Sequence, residues 1–156
     1  MKKKLFIAFI IILFGSSCGF KVINKKELIN FDIYEIKIAG DKQINYKIKN
    51  KLIRFTQNNK KNLIALDIKT KKNRSVKERN INNEITKFEI SIAVDIIVRK
   101  VNHDFTDNLQ INKNGIYIVD KQYVKTLNNE KTLIKNIASD ISDEIIEELI
   151  LKFNDL

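Results

Sequence analysis

A strict alternation of apolar and polar residues between positions 87 and 99 constrains the fold more than any other stretch of the chain. Successive side chains of a strand point to opposite faces, so this period of two predicts one long strand with a buried face and a wet face. At about 3.3 Å per residue, the strand spans a small domain and extends past it. The apolar positions are Phe88, Ile90, Ile92, Val94, Ile96 and Val98, and the polar ones are Lys87, Glu89, Ser91, Asp95 and Arg99.

Three other stretches carry strand patterns of β-branched and aromatic residues. One begins at Phe31, continues through Ile33, Ile36 and Ile38, and closes at a turn, Ala39-Gly40. A second runs from Asn62 to Thr70, with Ile64, Leu66 and Ile68 facing a core. The last follows the polar turn at Asn102 and carries Leu109, Ile111, Ile116, Tyr117 and Ile118. Asn114-Gly115 interrupts this last pattern as a bulge or a tight turn, which leaves one bulged strand or two short strands open.

Two stretches have the three- and four-residue spacing of amphipathic helices. Asp41 is placed to cap the first, whose buried stripe is Ile44, Ile48, Leu52 and Phe55 and whose end is expected near Asn58-Asn59. The second begins between Asp120 and Asn129 and reaches about Phe153. Its inner stripe is Ile134, Ile137, Ile141, Ile145, Leu149 and Phe153, and its solvated face carries Asp140, Asp143, Glu144, Glu147 and Glu148.

The order strand, helix, three strands, helix predicts an α+β fold. We expect two layers, in which two helices cover one face of a small, largely antiparallel sheet of about four strands. With 156 residues, of which 44% are hydrophobic, the chain has material for one core and one domain, expected over residues 31–156.

The first residues have the composition of a secretory signal, expected to span residues 1–17. Lys2, Lys3 and Lys4 precede an apolar run from Leu5 to Phe14, and small residues, Gly15-Ser16-Ser17, follow it. The apolar run is about half of the ~20 residues that a membrane-spanning helix needs, which favours a cleaved leader over a permanent anchor.

Cys18, the only cysteine, comes directly after these small residues. A cysteine at this place is similar to the lipobox of bacterial lipoproteins, although Gly15 stands where that box usually has leucine. The resemblance implies cleavage before Cys18 and attachment of fatty acyl chains, including palmitate, to Cys18, so that residues 18–30 form a lipidated tether. Two or more acyl chains hold a protein on a membrane far better than one chain does. The alternative is a plain secretory signal followed by a free thiol.

A net charge of +10, which falls to +7 without the three leader lysines, suits acidic partners such as lipid headgroups. Heavy use of Lys, Ile and Asn, typical of an AT-rich genome, is an equally good explanation. Nucleic acid is disfavoured as a partner because an acylated, secreted protein rarely meets it. The basic segment 71–80 is expected to be a loop before the long strand. Its cations are candidates for contact with the phosphates of lipopolysaccharide, against a merely solvated loop: Lys71, Lys72, Arg74, Lys77 and Arg79.

Catalytic groups are scarce, which predicts a protein that is not an enzyme and holds no cofactor or metal. His103 is the only histidine, and we expect it beside Asp104 in an exposed turn. The acidic helix face has no histidine near it, so a solvated surface is favoured over a metal site. The four tyrosines are expected at core or interface edges.

Taken together, these residues resemble the lipopolysaccharide-assembly lipoproteins of the LptE type. The resemblance rests on Cys18-Gly19-Phe20, on the order of elements, and on Tyr117, residues 120–123, Glu130 and residues 137–141 near the end. It implies an outer-membrane protein, lipid-anchored on the periplasmic side, that sits inside the β-barrel LptD and assists lipopolysaccharide assembly without covalent chemistry. The alternative is a lipoprotein that pilots or braces another envelope complex, such as a secretion system or a pilus.

Overall fold

The structure is a computed structural model that describes residues 30–55, 62–101 and 103–154. The expected signal peptide, Cys18 and the tether before Asn30 lie outside the described residues. Six elements follow in the predicted order. They are β1 (Asp32–Gly40), α1 (Lys42–Phe55), β2 (Leu63–Arg79), β3 (Ile85–Lys100), β4 (Thr106–Ile118) and α2 (Tyr123–Asn154).

The sheet has the order β1-β2-β3-β4, and its pairing is mixed. β1 runs parallel to β2, with α1 as the crossover between them, whereas β2 with β3 and β3 with β4 are antiparallel. The α+β class predicted from the sequence is therefore confirmed, and the sheet contains one parallel pair beside its antiparallel ones.

Both helices pack on the same face of the sheet, and the core lies between the two layers. The predicted inner stripe of α2 is buried in full, and in α1 the buried stripe is Ile44, Ile48 and Leu52. The apolar positions of β3 from Ile90 to Val98 are buried beneath them. The opposite face of the sheet, called here the open face, carries no helix in the described part of the chain. The period of two in the sequence is thus explained by a sheet that is covered on one side only.

An irregularity in β1 explains why its apolar residues do not follow a strict period of two. Ile33 lies opposite Ile64, and the next paired residue is Glu35 opposite Ala65, so Tyr34 is an extra residue in the ladder. This bulge lets Ile33 and Ile36 both face the core while Tyr34 remains exposed.

The basic segment 71–80 is not the predicted loop. β2 continues through it to Arg79, and β3 pairs with it from Lys71 opposite Ala93 to Arg79 opposite Ile85. All residues from 71 to 79 are exposed, so this half of β2 shows no apolar alternation that would identify a strand. Its extended conformation comes from pairing with β3.

The interpretation of Asn114-Gly115 as a bulge or turn is also wrong, because β4 is one regular strand. Its ladder with β3 has no shift in register from Thr106 to Ile118. Gly115 has a different role: a Cβ atom there would lie 2.6 Å from a methyl carbon of Leu133 in α2. The glycine therefore permits close packing of the helix on the strand.

The predicted turn and cap between β1 and α1 are confirmed. Gly40 has a φ of +108°, and the Asp41 carboxylate accepts hydrogen bonds from the amides of Gln43 (3.0 Å) and Ile44 (3.1 Å). The hydroxyl of Thr70 in β2 accepts a hydrogen bond from the Asp41 amide at 3.0 Å. α1 is described as far as Phe55, and its expected end near Asn58-Asn59 lies outside the described residues.

The start of the domain and the end of its last helix meet at one end of the sheet. The ring of Phe153 in α2 lies 5.5 Å from that of Phe31 and 6.0 Å from that of Phe105. Lys152 forms an ion pair with Asp107, and its hydrogen bond lowers the pKa of that carboxyl. We call this the tether end, because the chain enters the domain here. The far end carries the β2–β3 turn and the start of α2, and the 32 residues of α2 span about 48 Å between the two ends.

Two more carboxylates have lowered pKa values. Burial raises the pKa of Asp41, but the hydrogen bonds from the Ile44 amide and the Lys72 ammonium outweigh it, so the pKa lies below its ordinary value. A hydrogen bond from Arg99 to Asp67, 2.7 Å long, lowers the pKa of that carboxyl. Both groups therefore favour the folded state when they are ionised.

We expect the domain to lose stability in acid rather than near neutral pH. A carboxyl whose pKa is lower in the folded chain stabilises the fold above its unfolded value of about 3.9, and this contribution disappears as the pH falls through the folded pKa. Thermal unfolding followed across this range should show the loss below about pH 5. Asp41→Asn should weaken the pH dependence, while Asp104→Asn, in the exposed turn, should follow the wild type. A transition confined to near-neutral pH would contradict this assignment.

Candidate docking surface at the far end

Several exposed apolar side chains lie at the far end, on β2, β4, the β2–β3 turn and the start of α2. Ile81 in the β2–β3 turn is fully exposed, and the others are at least 43% exposed. Val76 falls on the same face of the sheet as Tyr117, whereas Ile116 and Ile118 fall on the open face, so the exposed apolar residues lie on both faces. Exposed apolar side chains grouped at one end of a domain are candidates for contact with a partner. The other members are Val76, Ile116, Ile118, Tyr123 and Val124.

The turn that carries Ile81 is well ordered by hydrogen bonds. The side-chain oxygen of Asn80 accepts from the amides of Asn82 (3.0 Å) and Glu84 (2.9 Å), and its amide group donates to the Glu84 carboxylate at 2.7 Å. Asn83 has a positive φ of 63°, a conformation that asparagine tolerates well. Ile81 is therefore held outward by a turn with a defined shape.

A cluster of one cation, two aromatic rings and one carboxylate lies at the same end of the sheet, on the side that the helices cover. The guanidinium carbon of Arg74 is 3.7 Å from the centre of the Phe88 ring, and Phe88 stacks on Tyr117 with 5.6 Å between ring centres. Arg74 also lies 3.7 Å from the Glu130 carboxylate, to which the Tyr117 hydroxyl donates a hydrogen bond of 3.1 Å. Burial, with a contribution from Glu130, raises the pKa of Tyr117 to about 12, so the phenol keeps its proton. Tyr117 and Glu130, noted separately in the sequence, thus lie together.

We expect Tyr117→Phe to destabilise the domain by about 1 kcal/mol, because it removes the hydrogen-bond donor to Glu130 and leaves the ring packing intact. The matched control is Tyr123→Phe, since Tyr123 is 74% exposed whereas Tyr117 is 4% exposed. Urea unfolding of both variants measures the difference. Equal losses in the two variants would show that the Tyr117 hydroxyl contributes nothing specific.

The five basic residues singled out in the sequence do not converge on one point. Lys72 pairs with Asp41 at 3.0 Å, and the side chain of Arg74 lies on the helix side of the sheet against Phe88. Lys77 pairs with Glu89 at 3.3 Å. Arg79 donates to the Asn83 carbonyl at 2.8 Å, and Lys71 lies on the open face. The cations therefore line both sides of the second half of β2.

Lys71 borders a shallow depression on the open face, with a volume of about 300 Å³. Two adjacent rows of the sheet form it, in which Lys71 lies beside Ala93 and Asn112, and Asn73 lies beside Ser91 and Asn114. Small and amide side chains here provide hydrogen-bond donors and acceptors. The depression is a polar surface rather than an enclosed cavity.

The remaining predicted positions are placed as follows. His103 and Asp104 are exposed in the turn after β3. On the acidic face of α2, Asp143 pairs with Lys51 of α1 at 2.6 Å, and Glu144 pairs with Lys113 of β4. Tyr34, Tyr46 and Tyr123 are exposed, and Tyr117 is buried. Part of the acidic face thus joins α2 to its neighbours.

Within the described residues, no group of three or more histidine, cysteine, aspartate or glutamate side chains is arranged to hold a metal ion. Neither of the helices that the structure describes has an apolar stretch long enough to cross a bilayer.

Comparisons of the whole fold identify solved lipoproteins. Rare lipoprotein B from Shewanella oneidensis has a TM-score of 0.58 and 13% identity, with 76% of this chain and 95% of that chain covered. A putative lipoprotein from Caulobacter crescentus has a TM-score of 0.54 and 14% identity, covering 81% and 92%. An uncharacterised lipoprotein B from Nitrosomonas europaea has a TM-score of 0.55 and 14% identity, covering 82% and 88%.

The chain therefore has the fold of these lipoproteins over nearly their full length. The sequence matches no protein-family model and no curated protein. At such low identity the similarity concerns the architecture alone.

The exposed apolar surface at the far end was missed by the sequence reasoning. Ile116 and Ile118 were interpreted only as strand residues, and Val124 was not noted. The signal that could have found part of it is the period of two: Ile116 and Ile118 are the immediate neighbours of Tyr117, so a strand that buries Tyr117 exposes both of them. Ile116 and Ile118 fall on the opposite face from Tyr117.

Proposed function

We propose that the protein is a lipid-anchored, non-enzymatic accessory subunit of the bacterial outer membrane. It binds a large β-barrel of the LptD type and assists lipopolysaccharide assembly at the cell surface. The observation that carries the proposal is the fold shared with three lipoproteins over at least 88% of their chains. The leader and Cys18 at the start of the sequence support the same class of protein.

The shape of the domain supports a role as a subunit that reaches away from the membrane. An anchor at Cys18 would hold the tether end near the lipid surface, and the far end lies about 48 Å away along α2. The far end presents exposed apolar residues beside cations of β2. Such a surface suits a protein wall or an amphiphile better than it suits bulk water.

The absence of a catalytic role is part of the proposal. His103, the only histidine, is in an exposed turn, and the chain has one cysteine, which the proposal assigns to acylation. In this proposal the domain contributes binding surfaces and no reacting groups.

Depletion of the protein in its native bacterium tests the proposal against the alternative of a pilot or brace for another envelope complex. If it assists lipopolysaccharide assembly, newly made lipopolysaccharide should accumulate in the inner membrane and decline at the surface. Normal lipopolysaccharide at the surface, together with loss of a secretion system or pilus, would refute the proposal in favour of the alternative.

Contact between β2 cations and lipopolysaccharide phosphates gives a further expected result. Replacing Lys71, Lys72 and Arg74 by alanine should weaken binding of purified lipopolysaccharide roughly tenfold at low salt, with a smaller difference at high salt because exposed charges are screened. The matched control removes three cations elsewhere, Lys47, Arg54 and Lys135, which lie around a groove between α1 and α2. Equal weakening in both triple variants, or no change in either, would remove the contact from the proposal.

A further inference from the structure

β2 continues well beyond the strand that pairs with it on one side. β1 ends at Gly40, opposite Thr70, whereas β2 extends to Arg79. Residues 71–79 are paired with β3 alone in the described part of the chain. Their backbone amides and carbonyls on the other side therefore form a free strand edge.

The end of β1 is determined by specific contacts and is not a frayed terminus. The positive φ of Gly40 turns the chain, and a Cβ atom at that position would lie 2.0 Å from the carbonyl oxygen of Thr70. The Thr70 hydroxyl accepts from the Asp41 amide and donates to the buried side chain of Asn45 at 2.7 Å. α1 then leads away from the sheet. Among the described residues, nothing therefore pairs with the edge of β2 beyond Thr70.

The free edge is regular enough to accept another strand. Its ladder with β3 is unbroken from Lys71 opposite Ala93 to Val76 opposite Phe88, and the first shift in register comes between Val76 and Glu78. Six residues of regular strand span about 20 Å. That length is sufficient for a short extended peptide to pair with the edge.

The charges on this edge indicate which strand would pair with it. Residues 71–79 contain five cations and one carboxylate, that of Glu78. Within the described residues, Lys71 makes no ion pair, and Arg79 bonds only to a carbonyl oxygen. A second copy of the same edge would bring like charges together, which disfavours self-pairing. An acidic strand would be attracted.

We propose that residues 71–79 of β2 bind an extended, acidic segment of a partner protein as an additional strand of the sheet. Backbone hydrogen bonds along the edge would supply affinity, and Lys71 and Arg79 would supply the preference for acidic side chains. The inference concerns the chemistry of a protein segment, and it holds or fails independently of the lipopolysaccharide role.

The other edge of the sheet serves as an internal control. β4 presents mostly neutral residues, including Asn108, Gln110, Asn112 and Asn114, and only one cation, Lys113, which is paired with Glu144. An acidic peptide should therefore distinguish β2 from β4, although both are strand edges.

The experiment uses the ¹⁵N-labelled full chain in a non-ionic detergent and a blocked nine-residue peptide of alternating glutamate and valine. Amide exchange and chemical shifts are measured residue by residue. We expect alternate amides of residues 71–79 to exchange more slowly, because only every second amide of a strand faces the free edge. Amides of residues 106–118 should be unaffected. The double variant Lys71→Glu/Arg79→Glu should bind the peptide roughly tenfold more weakly, while Lys135→Glu, a single exposed charge reversal on α2, should change little.

Two altered peptides and lipopolysaccharide micelles separate the contributions of backbone hydrogen bonds, of charge and of lipid binding. A peptide with an N-methyl group at every position cannot donate backbone hydrogen bonds, and one with lysine for glutamate has the wrong charge; both should fail to bind. Equal binding by either altered peptide would overturn the proposal. The proposal would also be overturned if the acidic peptide left the amide exchange of residues 71–79 unchanged. This holds equally if lipopolysaccharide micelles slow that exchange while the acidic peptide does not.

Discussion

Cys18→Ser is expected to abolish incorporation of fatty acid and to remove the protein from the outer-membrane fraction. The serine hydroxyl is not a substitute for a thiolate nucleophile at neutral pH, since its proton is held far more tightly. Loss of several acyl chains also removes the membrane affinity that each buried methylene contributes, about 0.8 kcal/mol. Metabolic labelling with a fatty-acid analogue, followed by membrane fractionation, measures both effects.

The matched control for this experiment is Ser17→Ala, which keeps a small residue directly before the cysteine. It should be labelled and localised like the wild type. If Cys18→Ser is labelled as strongly as Ser17→Ala, acylation occurs elsewhere and Cys18 is not the anchor. Wild-type protein without any label would support the plain secretory signal instead.

Gly40→Ala is expected to be the most destabilising single substitution outside the core, at about 3 kcal/mol or more. Two costs combine there: an alanine at a φ of +108° is strained, and its Cβ would lie 2.0 Å from the Thr70 backbone oxygen. A backbone atom within a paired strand cannot move aside easily. Because domains of this size are stable by roughly 5–15 kcal/mol, the loss should be obvious as a lower urea midpoint.

Gly115→Ala provides the comparison. Its Cβ would meet a side-chain methyl of Leu133 at 2.6 Å, and a side chain can change rotamer. We expect a cost of about 1–2 kcal/mol, as for moderate overpacking in a core. If Gly115→Ala proves more damaging than Gly40→Ala, the backbone at Gly40 is not strained in the way the structure indicates.

The order and type of the elements could be predicted because burial on one side leaves a period in the sequence. β3 shows it best, since its apolar residues from Ile90 to Val98 all face the helices. The same holds for α2, whose inner stripe from Ile134 to Phe153 is buried throughout. Asp41 was recognised as a cap because a carboxylate before a helix satisfies free amides.

The sequence-based predictions were wrong where a strand has no pattern of buried residues, or where a residue type can serve more than one structural role. Residues 71–79 are exposed on both faces, so pairing with β3, which is distant in sequence, decides their conformation. Gly115 was interpreted as a turn residue, although its role is to let Leu133 approach. The parallel pairing of β1 with β2 is consistent with the largely antiparallel sheet that was predicted, and it is made possible by the crossover through α1.

The candidate site was predictable only in part. The cations of residues 71–79 were identified by composition. Which of them lie on each face of β2 can be determined only from the pairing of β2 with β3. The cluster of Arg74, Phe88, Tyr117 and Glu130 joins three strands and a helix, and the sequence contains no spacing that indicates it. Exposed Ile81 is recognisable only once the turn around it is known.

Affinity purification of the tagged full chain from detergent-solubilised outer membranes tests the proposed role most directly. If the protein is a subunit of a lipopolysaccharide-assembly barrel, it should elute in a fixed ratio with a large β-barrel protein, and the complex should persist through size-exclusion chromatography. Elution as a monomer, or with a different envelope complex and no barrel, would contradict the proposal.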